Sequence, residues 1–382
     1  MDKEKLDKDL FVPADKKENE SEKIHKPSLT YWQDAFIRLR KNKGALLGIF
    51  VLLFITVMAI VGPYLNEHGL DDQNLSHSKL PPRVAMVEDV RWLGLDGTKR
   101  DTIRDATLEE AKAKGLKRFS QEDETYIDFK VKSEGNGEED SAVVVVYYDI
   151  YADKELHDTY YWFGTDTLGR DLFTRVWLGT RVSLYIAFLA AIIDMVFGVA
   201  YGGISAYYGG RVDNAMQRVI EILVGIPNLV LVILMIIVLD PGILAITLAI
   251  ALTGWIGMAR IVRGQVLKLK SQEFVLAART LGASDKRVIS KHLIPNTLSM
   301  IIINTMFTMP GAIFFEAFLS FIGLGLQPPL ASLGTLINDG FKAMQTNPYL
   351  MIFPTIIISA IMIAFNIVAD GLRDALDPKS RD

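Results

Sequence analysis

Residues 271–296 read SQEFVLAARTLGASDKRVISKHLIPN, a polar island between two long apolar stretches. Ser271 can cap a short helix in which Phe274, Ala277, Ala278 and Leu281 recur at i, i+3, i+4 and i+7 and so share one face. Gly282 should stop that helix, because glycine enters the left-handed conformation without a Cβ clash. Ala283 follows, and Ser284 with Asp285 favours a second helix start, since an acidic side chain is stabilised at a helix N-terminus. Val288, Ile289 and Leu293 line one side of this second helix, and Pro295 is expected to end it. The expected product is two short amphipathic helices hinged at Gly282 and held at a membrane surface, with Lys286, Arg287 and Lys291 on the wet side. Such a knob suits docking into another protein; two solvated helices without a partner are the alternative.

The flanks set the class. Half of the 382 residues are hydrophobic and mean hydropathy is +0.24, yet 23% are charged, so apolar and polar blocks must be segregated. Gly44 to Leu65 carries no charge over 22 residues, enough at about 1.5 Å per residue to cross a hydrocarbon core of roughly 30 Å. Five further apolar stretches run Ser183 to Ala206, Val219 to Val238, Ile243 to Met258, Leu298 to Phe321 and Leu350 to Val368. Six spans place both termini on one side. Lys and Arg gather before the first span, between Arg211 and Arg218, from Arg260 to Lys291 and from Arg373 to Arg381, while the turn at Pro241 has none. By the positive-inside rule the termini and the glycine-hinged loop are cytoplasmic.

Before the first span, residues 1–43 hold eleven Lys/Arg and nine Asp/Glu and read as a solvated tail. From Ser28 the tail can form an interfacial amphipathic helix with Trp32, Ala35, Phe36 and Leu39 on one face. Residues 66–162 change character, with 22 acidic and 13 basic side chains for a net charge of −9. Thr107 and Glu110 form a capping-box pair before LEEAKAKGLKR. Tyr126 to Ser133 and Ala142 to Tyr148 flank Glu134-Gly135-Asn136-Gly137, a hairpin signal. A small extracellular α+β insertion is expected here, a disordered loop being the alternative.

Three features inside the apolar blocks stand out. Asp194 lies midway along the second span and Glu316 well inside the fifth; an intramembrane carboxylate costs at least about 2.5 kcal/mol unless it meets a cavity or a partner. Both are candidates for intersubunit polar packing or for lining a translocation path. Gly198, Gly202 and Ala206 recur every four residues and allow close helix approach. Pro310-Gly311 should interrupt the fifth span, leaving backbone that must line a cavity or be covered by neighbours.

Several function classes are excluded. There is no cysteine, hence no disulfide, thiol nucleophile or Cys-ligated metal. No Gly-Lys-Ser/Thr ends a phosphate-binding loop, so ATP must be hydrolysed by other chains. His25, His68, His77, His157 and His292 show no metal spacing, and no G-x-S-x-G nucleophile elbow occurs. No basic aromatic patch suggests nucleic acid.

The central loop resembles that of the membrane subunits of binding-protein-dependent ABC importers, whose pattern is E-A-A, three residues, G, nine residues, I-x-L-P. Ala277, Ala278, Gly282 and Pro295 match in register; Leu276, His292 and Ile294 depart from it. The wording A-A-R-x-L-G-A-S is similar to the peptide-permease branch. Gly164-Thr165-Asp166-Thr167-Leu168-Gly169-Arg170-Asp171 resembles the G-T-D-x-x-G-R-D segment of its C-type subunit, and Glu316 to Pro329 resembles E-A-x-L-S-F-L-G-L-G-x-Q-P-P. Leu333 stands where that family commonly has tryptophan. Residues 66–162 are not covered. From the residues themselves, Gly164, Asp166, Gly169, Arg170 and Asp171 read as a turn at the outer membrane surface, with Arg170 paired to Asp166 or Asp171.

The resemblance implies an all-α polytopic membrane protein with six transmembrane helices of the type I ABC importer permease kind. The expected divisions are a cytoplasmic tail and interfacial helix (1–43), a first span (44–65), the insertion (66–162), a five-span permease core (163–373) containing the 271–296 coupling loop, and a cytoplasmic tail (374–382). It implies a non-enzymatic permease of a bacterial cell membrane that imports oligopeptides. The partners it implies are a second permease, two ATPase subunits that bind ATP and Mg, an extracellular peptide-binding lipoprotein, the peptide and membrane lipid. A dipeptide or nickel importer of the same branch is the first alternative. A membrane-anchored receptor or scaffold is the second, and it would need neither the glycine-hinged loop nor carboxylates in its spans.

Overall fold

A computed structural model describes residues 30–69, 72–135 and 141–376. The expected tails at 1–29 and 377–382, and Asn136-Gly137 of the expected turn, lie outside the described residues. Helix α1 (Tyr31–Lys41) starts at a capping box made by Thr30 and Gln33. Its Ala35 is buried with Ile303 and Leu376, whereas Trp32 and Phe36 stay exposed. Helix α2 (Lys43–Val61) begins directly after, with the Asn42 side chain accepting from Ala45 N–H.

The acidic region folds. Strand β1 (Thr98–Asp105), helix α3 (Leu108–Arg118), strand β2 (Ile127–Ser133) and strand β3 (Ala142–Asp149) build an antiparallel sheet in the order β1-β3-β2. Thr107 and Glu110 form the capping box of α3. The Val143 to Tyr148 run becomes the central strand because it alone is apolar enough to be covered. Val144 and Val146 are fully buried beside Ala111 of α3, Ile103 and Ile127. Leu80, Tyr151 of the short helix α4 (Ile150–Asp153) and Tyr161 extend the same cluster toward the chain's next long helix.

That helix is α5 (Leu172–Ile193), continued through a π turn (Asp194–Gly198) into α6 (Val199–Tyr208), 37 residues in all. Close approach at its glycines is severe: a Cβ at Gly202 would lie 2.3 Å from the Ala259 carbonyl oxygen. The facing helix is α9 (Ile243–Leu269).

The expected third span, Val219 to Val238, is not one helix. Helix α7 (Gly210–Val224) and helix α8 (Asn228–Leu239) meet at an 80° bend. Pro227 has no N–H to continue the ladder and itself stands extended, with ψ 129°, so the chain turns there. Among the described residues, five helices are therefore long and apolar enough to cross a membrane, or six if the bent pair counts as one span.

After α9 come α10 (Glu273–Thr280), a single turn α11 (Asp285–Arg287), a π turn (Val288–Leu293) and α12 (Ile294–Phe321). Pro295 does not end a helix, contrary to expectation; it sits in the first turn of α12, and Asp285–Phe321 runs on as one helix. The π turn supplies the reason: Ile294 N–H reaches back to Ile289 O, widening the helix just where Pro295 lacks a donor. Likewise α12 passes through Pro310 unbroken, and neighbours cover that proline. Helices α13 (Leu333–Lys342) and α14 (Tyr349–Leu376) complete the chain, and Ile55, Trp177, Ile313 and Ile361 join α2, α5, α12 and α14 in one core.

Candidate functional site

The loop between α9 and α12 is shaped by two devices. Gly282 has φ +81°, its N–H donates to Arg279 O (3.0 Å), and Ala283 N–H donates to Ala278 O (3.0 Å). This pair of bonds is the Schellman ending that a left-handed glycine permits, and it satisfies carbonyls the end of α10 would otherwise leave open. Ser271 does not cap α10; the N-cap position is Gln272, without a side-chain cap. Ser284 occupies the N-cap position of α11, also without a side-chain bond.

The buried side of the loop is not the face that periodicity suggested. Val275 is the fully buried residue of α10, meeting Val288 and Leu293 of the following π turn and Val262 and Val266 of α9. Phe274 is 42% exposed, Leu276 48% and Leu281 87%. With Ala277 exposed and Ala278 half-buried beside them, they make an apolar edge that no other described residue covers. Exposed apolar edges of this kind, rimmed by charge, mark contact sites.

The loop is tied to the ends of several helices. Tyr207 Oη donates to Asp285 Oδ1 (2.6 Å), and Lys270 Nζ donates to Ala206 O (2.8 Å). Arg263 of α9 makes a two-pronged pair with buried Asp213 of α7, at 2.7 and 2.6 Å, and Ser205 Oγ of α6 donates to the same carboxylate at 2.5 Å. A bidentate, hydrogen-bonded pair of this kind is the strong form of the interaction. Sequence reasoning missed Val275, Asp213 and Arg263; the latter two are 50 residues apart, and only the fold brings them together.

The segment from Gly164 to Arg175 is built in the opposite sense. Asp166 accepts from Leu168 N–H (2.8 Å), Arg170 N–H (3.0 Å) and Arg170 Nε (2.7 Å), and Arg175 lies at 3.4 Å. Asp171 caps α5 through Thr174 N–H (2.7 Å) and accepts from Asn66 Nδ2 (2.7 Å). Thr165 Oγ1 donates to His77 O (2.5 Å) and accepts from Leu80 N–H (2.8 Å). Gly164 and Gly169 both have positive φ, and a Cβ at Gly169 would fall 1.8 Å from Asn74 O. Asp166, Arg170, Asp171 and Arg175 are all buried, so their charges serve the joint between segment 74–80 and α5. Beside the joint, the Tyr161 ring stacks on His68 and its hydroxyl bonds His77 Nδ1 (2.7 Å). Burial, then the carboxylates of Asp171 and Asp72, pushes the Tyr161 hydroxyl up to about 12. Burial, then the charges of Lys154 and His68, holds His77 below the usual imidazole range.

The two intramembrane carboxylates differ from each other. Glu316 is fully buried and bonded by its own chain: Ser183 Oγ donates at 3.0 Å and Ser320 Oγ at 2.8 Å. This joins α5 to α12 and leaves Glu316 no surface toward a path or a partner, unlike the expectation for it. Asp194 opens the π turn and accepts from Thr308 Oγ1 of α12 (2.6 Å), so it too is held inside the chain, 2% exposed. Among the described residues no group of three or more His, Cys, Asp or Glu is placed to hold a metal ion.

Two family models match. The binding-protein-dependent transport system inner membrane component covers residues 196–382, and the N-terminal TM domain of oligopeptide transport permease C covers residues 30–82. The dipeptide transport system permease protein DppC of Bacillus subtilis (strain 168) is 41% identical over 97% of this chain and 93% of its own length. The oligopeptide transport system permease protein OppC of the same organism is 38% identical over 98% and 99%. OppC of Escherichia coli (strain K12) is 33% identical over 95% and 96%. Identity at this level, sustained over nearly the whole of each relative, shows that the chain belongs to the family of binding-protein-dependent transport system inner membrane components, in its OppC/DppC branch.

Proposed function

We propose that this chain is the C-type permease subunit of an ATP-driven peptide importer and that residues 271–296 are where ATPase motion enters it. One observation carries the reading: the loop has an apolar edge at Phe274, Leu276 and Leu281 that its own chain leaves exposed, while Val275 on the other side locks it to α9 and α12. A docking element needs both properties. The edge meets the partner, and the lock transmits displacement to the spans as rigid helices.

The remaining parts follow. The Lys/Arg distribution supports cytoplasmic termini and loop, with the acidic α+β unit outside. A second permease completes the path and two ATPase subunits hold ATP and Mg; an extracellular binding lipoprotein delivers the peptide. The α+β unit, joined to the Gly164 to Arg175 turn through Leu80 and Tyr161, is suited to docking that lipoprotein or bracing the second permease. Oligopeptides are the expected cargo. Dipeptides are the second reading, carried by the 41% identity to a dipeptide permease, and competition between short and long peptides for uptake separates the two.

Gly282→Val tests the docking role. A Cβ there meets nothing within 4 Å, but φ +81° is forbidden to a β-branched residue, so the Schellman turn must rearrange. The reconstituted complex should keep basal ATP hydrolysis and lose its stimulation by loaded binding protein. Full stimulation in the variant would sink the proposal.

A further inference from the structure

A groove of about 600 Å³ opens between the second span and the helix that carries Pro295. Val199 and Ile204 form one wall; Ile294 and Leu298 form the other. From Met195 to Tyr208 it follows the helix for about 20 Å, at about 1.5 Å per residue, somewhat more than half of a hydrocarbon core of roughly 30 Å. Its length therefore suits a chain entering from one membrane surface and reaching past the midplane.

The two ends differ in chemistry. The deep end, at Met195 and Val196, is apolar, whereas Tyr208, Lys286 and Ser290 gather at the end beside the 271–296 loop. Tyr208 is the last residue of α6, where an aromatic ring with a polar tip fits the membrane interface. Lys286 is exposed, and among the described residues its ammonium has no ion-pair partner. The acidic side chain next to it, Asp285, is already engaged by the Tyr207 hydroxyl at 2.6 Å. A lone cation at the polar mouth of an apolar slot calls for an amphiphile with an anionic head.

We propose that this groove binds one anionic phospholipid from the leaflet that borders residues 271–296, an acyl chain lying between the second and fifth spans and the phosphate at Lys286. Basic positions between helices at a membrane surface recognise anionic head groups in this way. The groove's length, its apolar lining and its one charged side chain, Lys286, match an acyl chain with an anionic head. The bound lipid touches both α6 and the π turn next to the loop, so it braces the two elements that must move together. The site depends on the fold and on residence in a membrane, not on the cargo or docking role.

The test is lipid binding by the full chain purified in detergent, titrated with dioleoylphosphatidylglycerol or dioleoylphosphatidylcholine and read by native mass spectrometry. One phosphatidylglycerol should bind per chain, well ahead of phosphatidylcholine. Lys286→Glu, which removes a positive charge and adds a negative one, should weaken it about tenfold or more, and Lys286→Arg should keep it. Ala200→Trp, which fills the slot without touching the cation, should also weaken it; if that variant fails to fold, Val199→Phe takes its place. Equal binding of the two lipids, or unchanged binding in Lys286→Glu, overturns the proposal. So does a cross-link from a cysteine at residue 200 to the second permease in the assembled complex, which would make the groove a subunit interface.

Discussion

Gly282 and Gly169 stand in similar backbone conformations, φ +81° and +73°, and face opposite surroundings. Around Gly282 a Cβ would meet nothing within 4 Å; at Gly169 it would strike Asn74 O at 1.8 Å. The same contrast holds for the neighbours. The charges beside Gly169 are buried and paired within the chain, whereas Leu281, next to Gly282, and Leu276 and Phe274 before it are exposed among the described residues. A glycine turn that closes on its own chain holds the subunit together. One that leaves apolar surface open is made for something outside it.

The largest effects should come from breaking the closed turn. Asp166→Asn removes the carboxylate that buried Arg170 and Arg175 share, and stranding buried charge costs about 3–5 kcal/mol. Thermal unfolding of the purified chain should show a steep loss, or no folded chain at all. A melting point equal to that of the unaltered chain would mean that the two guanidiniums find other partners and the joint is not held by Asp166.

Glycine substitutions sharpen the comparison at an intermediate scale. Gly169→Ala combines an αL cost of about 1–2 kcal/mol with a backbone clash, and should approach the Asp166 variant in severity. Gly282→Ala carries the conformational cost alone, about 1–2 kcal/mol on a surface turn, and should leave the global melting point nearly in place. Equal melting shifts for the two alanines would erase the distinction between a closed and an open turn.

A smaller effect concerns pH. His77 sits beside the closed turn with its imidazole held below the usual range, first by burial and then by Lys154 and His68. In the unfolded chain it takes a proton near about pH 6.5, before the folded chain does. Its contribution to stability is therefore complete above that pH and lost as the pH falls through the folded value. Melting points measured from about pH 7 down to about pH 5.5 should decline, and His77→Gln should flatten the decline. An identical slope in the variant would assign the decline to other groups.

What the sequence made legible is what depends on local rules. Gly282 as a helix stop, Thr107 with Glu110 as a cap, the β-branched run as a strand and the apolar lengths of the spans all follow from residues close in the chain. The misreadings arose where backbone register or distant partners decide. Pro295 continues a helix because a π turn before it removes the clash, and nothing local announces that turn. The break at Pro227 did have a signal, Ile226-Pro227, which the surrounding hydrophobicity outweighed. Phe274 and Leu281 were correctly placed on an apolar face, but Val275 is the residue that the distant α9 and α12 bury. Glu316 was legible as a buried carboxylate and not as one bonded by Ser183, 133 residues away.

The central claim is that the open edge at Leu281 is covered by an ATPase subunit. The chain has no cysteine, so Leu281→Cys provides a single thiol at a residue 87% exposed in the isolated subunit. Modification of that thiol by a maleimide should be fast in the purified chain and strongly slowed in the assembled importer, where a bifunctional reagent should cross-link it to the ATPase. Equal reaction rates in the two states, with no cross-link to the ATPase, would contradict the account.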